Sequence, residues 1–221
     1  MARIGFITGI KKEAEILLGY PNAKIVCAGA KTDNAYAQAN SLIKNGCEIL
    51  ISFGVAGALD PSLNAGDIVL PRSVIHKDGT VFKTASDLHQ KSSSHMSEKF
   101  SPSNGPIFGS TTLISNSAEK QRLFQSHGTI AVDMESLGVA KAAQENDCPF
   151  LAIRAISDTA QQNLPAASLQ AIDQDGNIKI ARVLKELAKK PSDLPALLKL
   201  GGNSSKAFAS LRRVAALGLG F

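Results

Sequence analysis

Three carboxylates stand where an apolar run gives way to a stretch with helical spacing. They are Glu13, Glu135 and Asp158, after the runs Ile4–Thr8, Thr129–Val132 and Phe150–Ile156. In a partly desolvated crevice a carboxyl group can protonate a leaving group, orient a water molecule or bind sugar hydroxyls. Each also has a structural alternative, because acids near a helix N-terminus are favoured as caps, by the helix dipole or by ion pairs with neighbouring lysines.

A glycine-rich stretch, Gly54-Val55-Ala56-Gly57, follows the β-like run Glu48–Phe53. It is not the G-x-G-x-x-G fingerprint of dinucleotide-binding proteins, and it lacks the Lys-Ser/Thr of a P-loop. We predict a turn whose backbone N–H groups approach a ligand oxygen, since side chains would obstruct that approach. A tight turn without a ligand is the alternative.

The elements that would position these residues alternate in type along the chain. Strand-like runs are separated by stretches with helical spacing, such as Thr32–Asn45, with Thr32 or Asp33 as the N-cap, and Met134–Asn146. Runs that are apolar on both faces are typical of a sheet covered by helices on both sides. We therefore predict an α/β fold in which the carboxylates and the glycine stretch meet at the carboxyl ends of strands. The Ser-rich residues 86–104 are predicted to form a surface helix and loop.

Composition excludes several classes of protein. The chain has 221 residues, 44% apolar and 19% charged, which is enough to bury a core and is atypical of disorder. No window approaches the roughly 18 uncharged apolar residues of a membrane span. Three separated cysteines and four histidines without ligand spacing predict neither a disulfide framework nor a metal site. The first residues have too short an apolar core for a secretory signal, so we expect a cytoplasmic protein.

Positive charge is concentrated at the C-terminus. Residues 179–221 hold nine Lys and Arg against two acids, a net charge of +7, whereas residues 1–178 carry −2. We divide the chain into a catalytic domain, residues 1–190, and a basic amphipathic tail, residues 191–221. The helical stretch Ser204–Leu217 either contacts the inner membrane surface or packs on the body or a partner subunit. The tail lacks interleaved aromatic residues, so we predict no nucleic-acid partner.

The order and spacing of three segments resemble the nucleoside phosphorylase and nucleosidase superfamily. The segments are IGFITGIKKEAE at 4–15, SFGVAGALDPSLNAGDIVLP at 52–71 and AVDMESLGVAKAAQENDCPFLAIRAISDTA at 131–160. The resemblance implies a single α/β domain whose central mixed, twisted sheet curls into a distorted barrel flanked by helices. It also implies a homo-oligomer that cleaves the N-ribosidic bond of a purine nucleoside and needs no cofactor.

By position, the resemblance assigns roles to individual residues. Asp158 would protonate N7 of the purine, and Glu135 would bind the ribose hydroxyls while positive charge builds on C1′. Both roles lower the barrier, because the base then leaves neutral and a fixed carboxylate stabilises the cationic sugar. The remaining substrate-binding residues are predicted to be Val55, Gly57, Leu113, Ile114, Asp133, Met134 and Ser157.

The acceptor of the ribosyl group stays open between water and phosphate. Hexameric phosphorylases tend to place Arg and Ser, which touch phosphate, where this chain has Ser52 and Val55. They also place Arg where this chain has Glu13, and a glutamate there resembles the hydrolases, in which it activates water. Lys11 and the Gly9 amide could nevertheless hold a phosphate co-substrate.

A narrower resemblance, to the hopanoid-associated phosphorylases, rests on the N-terminal TGxxxEA pattern, the sequence VDMES and the tail DLPALLKLGGNSSKAFASLRRV. It implies that adenine is removed from adenosylhopane, leaving a ribosyl or phosphoribosyl hopane. The alternatives are a hydrolytic 5′-methylthioadenosine/S-adenosylhomocysteine nucleosidase and an inactive nucleoside-binding module. A small apolar 5′ pocket closed by a neighbouring subunit would favour the nucleosidase, and an open groove near the tail would favour the hopanoid enzyme.

Overall fold

The apolar runs of the sequence form one mixed sheet in a computed structural model, which describes residues 2–169, 171–173 and 175–221. The strands are β1 (Ile4–Thr8), β2 (Ala23–Cys27), β3 (Ile49–Ala58), β4 (Ile68–Val69), β5 (Ser73–Ile75), β6 (Val81–Lys83), β7 (Ile107–Gly109), β8 (Ala131–Asp133) and β9 (Phe150–Asp158). The helices are α1 (Lys11–Ile16), α2 (Thr32–Lys44), α3 (Ser86–Met96), α4 (Ser117–His127), α5 (Ser136–Glu145), α6 (Ala166–Leu169), α7 (Ile180–Lys189) and α8 (Leu194–Leu217), with a 3-10 turn at Pro191–Asp193. The predicted α/β class, a mixed, twisted sheet flanked by helices, is confirmed.

The long strand β3 organises the sheet. Its first residues pair in parallel with β1, nearly its whole length pairs in parallel with β9, and its last residues pair antiparallel with β8. The strand order of the sheet is β2-β1-β3-β8-β7-β5-β6, and β4 pairs with β9. The ends of β1, β8 and β9 therefore meet beside the second half of β3.

Successive side chains along each strand point to opposite faces of the sheet, and both faces are apolar. Leu50 of β3 packs with the side that carries α2 and α5, whereas Ile51 and Phe53 pack with the side that carries α8. In β9 the same alternation separates Ala152 from Ile153. Both faces are thus covered by helices, as the doubly apolar runs predicted.

Two local predictions are wrong. Gly54–Gly57 is not a turn, because β3 continues to Ala58 and includes all four residues. The N-cap of α2 is Lys31, which makes no side-chain capping hydrogen bond. The Thr32 hydroxyl instead donates to the carbonyl oxygens of Ser110 and Met134, at 3.1 and 2.7 Å, and so ties α2 to two loops.

The C-terminal helix joins the core of the molecule. In α8 the side chains of Phe208, Leu211 and Val214 are buried, and they belong to the same core as Phe53 of β3. Of the two alternatives for Ser204–Leu217, packing on the body is therefore what the structure contains. Within the described residues, none of the helices has the length and apolarity needed to cross a bilayer.

Candidate active site

The second half of β3 and the ends of β1, β8 and β9 border a cavity of about 430 Å³, a size typical of small-molecule sites. Eleven of the twelve predicted site residues line it: Gly9, Glu13, Val55, Gly57, Leu113, Ile114, Asp133, Met134, Glu135, Ser157 and Asp158. Lys11 does not line it, since its position at the start of α1 is exposed. The fold thus gathers residues that are far apart in sequence, and their individual roles stay predictions.

Glu13 lies in α1, and its carboxylate is close to Gly9, the residue that follows β1. Its carboxylate accepts hydrogen bonds from the backbone N–H groups of Gly9 (2.8 Å), Ile10 (3.0 Å) and Val55 (2.8 Å). Burial raises the pKa of Glu13, against the opposing effects of the Arg154 charge and these amides. The Gly9 amide, predicted to hold phosphate, is therefore already used by a carboxylate of the chain itself.

Arg154 is the centre of a buried ion cluster that the sequence analysis did not single out. The side chain is fully buried in β9; its Nε contacts Asp133, and its Nη2 lies 3.5 Å from Glu135 Oε2. Nη2 also donates to Ser52 Oγ at 2.5 Å and to Ser136 Oγ at 3.0 Å. Burial lowers the pKa of Arg154, but the surrounding carboxylates outweigh it and raise the pKa above its ordinary value. A lone arginine in the apolar run FLAIRAI was the available signal, because a buried charge requires partners.

Asp133 faces this cluster. One carboxylate oxygen contacts Arg154 Nε and the Ser136 hydroxyl, and the other accepts from the Ser136 backbone N–H at 3.2 Å. Both oxygens are therefore engaged inside the protein. These contacts indicate that Asp133 positions Arg154 and the start of α5. Asp133 also borders the cavity.

The Glu135 carboxylate lies on the side of Gly9 where a side chain would start. A Cβ at Gly9 would come within 2.6 Å of Glu135 Oε1, so glycine is needed there for close approach. Burial raises the pKa of Glu135 to about 8, and the charges of Asp133 and Glu13 add to the effect while Arg154 opposes it. Three carboxylates around one guanidinium make this end of the cavity suited to a substrate that develops positive charge.

Asp158 lies at the end of β9 and is held by a lysine that was not predicted. Lys120 of α4 is fully buried, and its Nζ lies 2.5 Å from Asp158 Oδ2. The same ammonium group donates to the carbonyl oxygens of Thr159 (2.9 Å) and Gln162 (3.0 Å). The Ser157 hydroxyl donates to Asp158 Oδ1 at 2.8 Å. Nothing in the polar sequence around Lys120 distinguishes it from a surface lysine.

The exposed part of the cavity lining is mixed, since it contains Lys31, Thr111 and Thr112 as well as apolar side chains. Leu113 and Ile172 line the cavity, yet they remain 47% and 41% exposed. Leu164 and the buried Ile114 continue the apolar lining inward. The cavity thus combines buried carboxylates with an exposed mouth whose lining includes Leu113 and Ile172. In the described part of the chain, no three or more His, Cys, Asp or Glu side chains are grouped so as to hold a metal ion.

The α/β fold and the buried carboxylates at a small-molecule cavity agree with the family that the sequence resembles. The sequence pattern of the phosphorylase superfamily matches residues 3–189, and the chain belongs to that superfamily. The predicted family is confirmed, and so is the prediction that the chain is an enzyme of the nucleoside phosphorylase and nucleosidase type.

Individual relatives are distant. A 5′-methylthioadenosine/S-adenosylhomocysteine nucleosidase of Staphylococcus aureus is 27% identical in an alignment of 179 residues that covers 72% of this chain and 75% of the relative. The solved nucleosidase of the same name from Neisseria meningitidis, in complex with methylthio-immucillin-A, aligns with a TM-score of 0.75 at 17% identity and 98% coverage of both chains. Futalosine hydrolase of Helicobacter pylori aligns with a TM-score of 0.72 at 16% identity and 97% coverage of both chains. These structural likenesses show the shared fold.

Proposed function

We propose that this chain hydrolyses the N-ribosidic bond of an adenine nucleoside, and that its substrate is adenosylhopane. The products would be adenine and ribosylhopane. The observation that carries the hydrolytic assignment is the position of Glu13, whose carboxylate occupies the amides of Gly9, Ile10 and Val55. A phosphate ion would have to displace that carboxylate from those donors and lie against its negative charge.

Asp158 is the general acid of this reaction. As the C1′–N9 bond breaks, Asp158 delivers a proton to N7, so that adenine leaves as a neutral base. A source for that proton is in contact, because the Lys120 ammonium group lies 2.5 Å from Asp158 Oδ2. Lys120 and Ser157 also fix both carboxylate oxygens, which limits the orientations that Asp158 can adopt.

The sugar is stabilised at the other end of the cavity. Glu135 binds the ribose hydroxyls, and the carboxylate oxygens around Arg154 stabilise the positive charge that develops on C1′. Met134, the neighbour of Glu135, packs against the sugar.

Glu13 completes the reaction by activating water. The water oxygen forms the new bond to C1′, one of its protons passes to the Glu13 carboxylate, and the hydroxyl remains on the ribose. The raised pKa of Glu13 suits a base that must accept a proton. One water enters, and adenine and a ribose derivative leave. Glu13 then releases its proton to solvent, and Asp158 takes one up before the next turnover.

The lipid 5′ substituent is supported by the shape of the cavity. A ribose placed at the carboxylates leaves the apolar, half-exposed side chains of Leu113 and Ile172 on the open side. An apolar 5′ substituent longer than the cavity could leave through this mouth along the side chains of Leu113 and Ile172. A peripheral location at the cytoplasmic face of the inner membrane, where such a substrate resides, belongs to the same proposal, as does a homo-oligomeric state.

A second candidate is hydrolysis of 5′-methylthioadenosine or S-adenosylhomocysteine. It is supported by the Staphylococcus aureus relative of that name, which aligns over 72% of the chain. The two candidates share the chemistry at C1′ and differ only in what occupies the mouth of the cavity.

Comparison of two substrates tests the proposal. Adenine release is measured from adenosylhopane in detergent micelles and from 5′-methylthioadenosine in the same micelles. The proposal predicts a higher kcat/KM for adenosylhopane. A kcat/KM that is higher for 5′-methylthioadenosine would assign the enzyme to the second candidate.

A further inference from the structure

Helix α7 carries an apolar stripe that the rest of the described chain covers only in part, since Val183 and Leu187 are half-buried. Ile180, Val183, Leu184 and Leu187 share one face of the helix, as their spacing requires. Ile180 is 68% exposed and Leu184 59% exposed, and no residue of α7 is buried. A stripe of this kind on a surface helix normally faces a core, so its exposure points to a partner outside the described chain.

The stripe is part of a larger apolar surface. Six of the ten exposed large hydrophobic side chains among the described residues lie between 172 and 198: Ile172, Ile178, Ile180, Leu184, Leu194 and Leu198. We call residues 178–198 the C-terminal apolar surface. It is separate from the buried half of α8, in which Phe208 and Leu211 belong to the core.

The charge around this surface is positive. Residues 178–199 contain six Lys and Arg against Glu186 and Asp193. Both acids are paired with lysines of the same segment, Lys189 and Lys190. Arg182, Lys185 and Lys199 form no salt bridge with any residue that the structure describes. The segment therefore presents apolar side chains together with uncompensated positive charge.

We propose that the C-terminal apolar surface docks on an anionic lipid bilayer, with α7 lying in the plane of the interface. Apolar residues on one face of a helix, and cations on the other, are the combination that binds anionic membrane surfaces. A second copy of the chain is a poorer occupant, because a symmetric contact would bring two segments of the same net positive charge together.

Docking would place the cavity at the bilayer. Helix α7 packs on α6, and Ser168 of α6 lines the cavity, as does Ile172 just beyond it. A lipid-linked nucleoside could then move from the membrane into the cavity along apolar side chains. This consequence rests on the proposed function, whereas membrane docking itself does not require it.

Sedimentation with lipid vesicles tests the docking surface. The full chain is mixed with phosphatidylcholine vesicles, with or without phosphatidylglycerol, and the bound fraction is measured at low and high salt. We expect binding only to the anionic vesicles, and weaker binding at high salt. The double variant Ile180→Asp/Leu184→Asp should bind at least about tenfold more weakly, because two apolar anchors are replaced by anions.

Leu18→Asp is the matched control. Leu18 is 74% exposed and lies outside the C-terminal apolar surface, so this variant should bind vesicles like the unmodified chain. Adenine release from a water-soluble nucleoside should be the same in all three proteins, which shows that each is folded. The inference would be overturned if the unmodified chain did not sediment with anionic vesicles, or if the double variant sedimented equally well.

A further result separates a subunit contact from a membrane contact. If the double variant changed the oligomeric state while the unmodified chain bound no vesicles, the surface would be a subunit interface and the inference wrong. Failure of the proposed function would appear elsewhere, as absent cleavage of adenosylhopane in micelles, where docking on a bilayer is not needed.

Discussion

At the residue scale, a substitution of Asp158 should slow the chemical step without weakening the binding of adenine. In Asp158→Asn the amide oxygen can still accept from Lys120, but the group can no longer relay a proton to the purine. We expect kcat to fall by roughly 10²–10⁴ with adenine affinity nearly unchanged. Steady-state adenine release and calorimetric titration with adenine measure the two quantities. Asp87→Asn, at an exposed position of α3, is the control, and near-full turnover of Asp158→Asn would remove Asp158 from the mechanism.

Glu135 should make stability depend on pH. Its pKa is raised from 4.5 to about 8 in the folded state. The folded state therefore holds this proton more tightly than the unfolded state. Its contribution to the free energy of unfolding is fully present below pH 4.5, declines as the pH rises towards about 8, and is lost above.

Denaturant unfolding across that pH range measures the effect. The stability of the unmodified chain relative to Glu135→Gln should decrease from pH 4.5 to about 8 and then level off. If the difference in stability between the two proteins did not change with pH, burial would not raise the pKa of Glu135.

Some residues of the site could be predicted from the sequence, and others could not. Glu13, Glu135 and Asp158 were predicted as site residues because each follows a strand-like run, and strand ends meet at one edge of a sheet. Arg154 and Lys120 were not, although they contact these carboxylates. Their importance depends on which residues the fold places beside them, and α4 brings Lys120 to Asp158 from 38 residues away.

At the scale of elements, β3 shows why the glycine stretch was misread as a turn. Glycine is common in turns, but Gly54 lies within a strand that passes the buried ion cluster. A Cβ at this position would come within 2.6 Å of Arg154 Nη1 and 2.7 Å of Glu13 Oε1. Glycine is thus required by close side-chain approach, which depends on two residues from other elements.

Gly54→Ala should therefore disrupt the site. The added methyl group forces Arg154 or Glu13 to move, and a small displacement of catalytic groups can lower activity by about 10²-fold. Gly201→Ala is the matched control, because a Cβ there meets nothing within 4 Å. Because Gly201 lies in α8, the control should leave kcat/KM unchanged and raise the free energy of unfolding by about 0.5–1 kcal/mol. Equal activity of the two variants would contradict this interpretation of Gly54.

At the scale of the whole molecule, the C-terminal segment has two parts that differ in burial. The class of fold and the helices on both faces followed from apolar runs and their spacing. The division of the C-terminus did not, because amphipathic spacing is the same for a helix that packs on a core and for one that contacts a membrane. The structure distinguishes the two parts of the segment by burial, since Leu211 is fully buried and Leu198 is 68% exposed.

Two leucine truncations test this division. Leu211→Ala should lower the free energy of unfolding by about 2–5 kcal/mol, because it leaves a cavity in the core. Leu198→Ala should change it by less than about 0.5 kcal/mol. Thermal or denaturant unfolding in the absence of lipid measures both. Similar losses in the two variants would mean that the first part of α8 is also integral to the core.

We propose that Glu13 makes this enzyme a hydrolase. The most direct measurement is product analysis after cleavage in ¹⁸O-labelled water with phosphate present, using whichever nucleoside is cleaved. We predict that the label appears at C1′ of the ribose product, that no sugar phosphate forms, and that the rate does not depend on phosphate. Unlabelled ribose 1-phosphate product, formed at a rate that rises with phosphate concentration, would show a phosphorylase and contradict the role of Glu13.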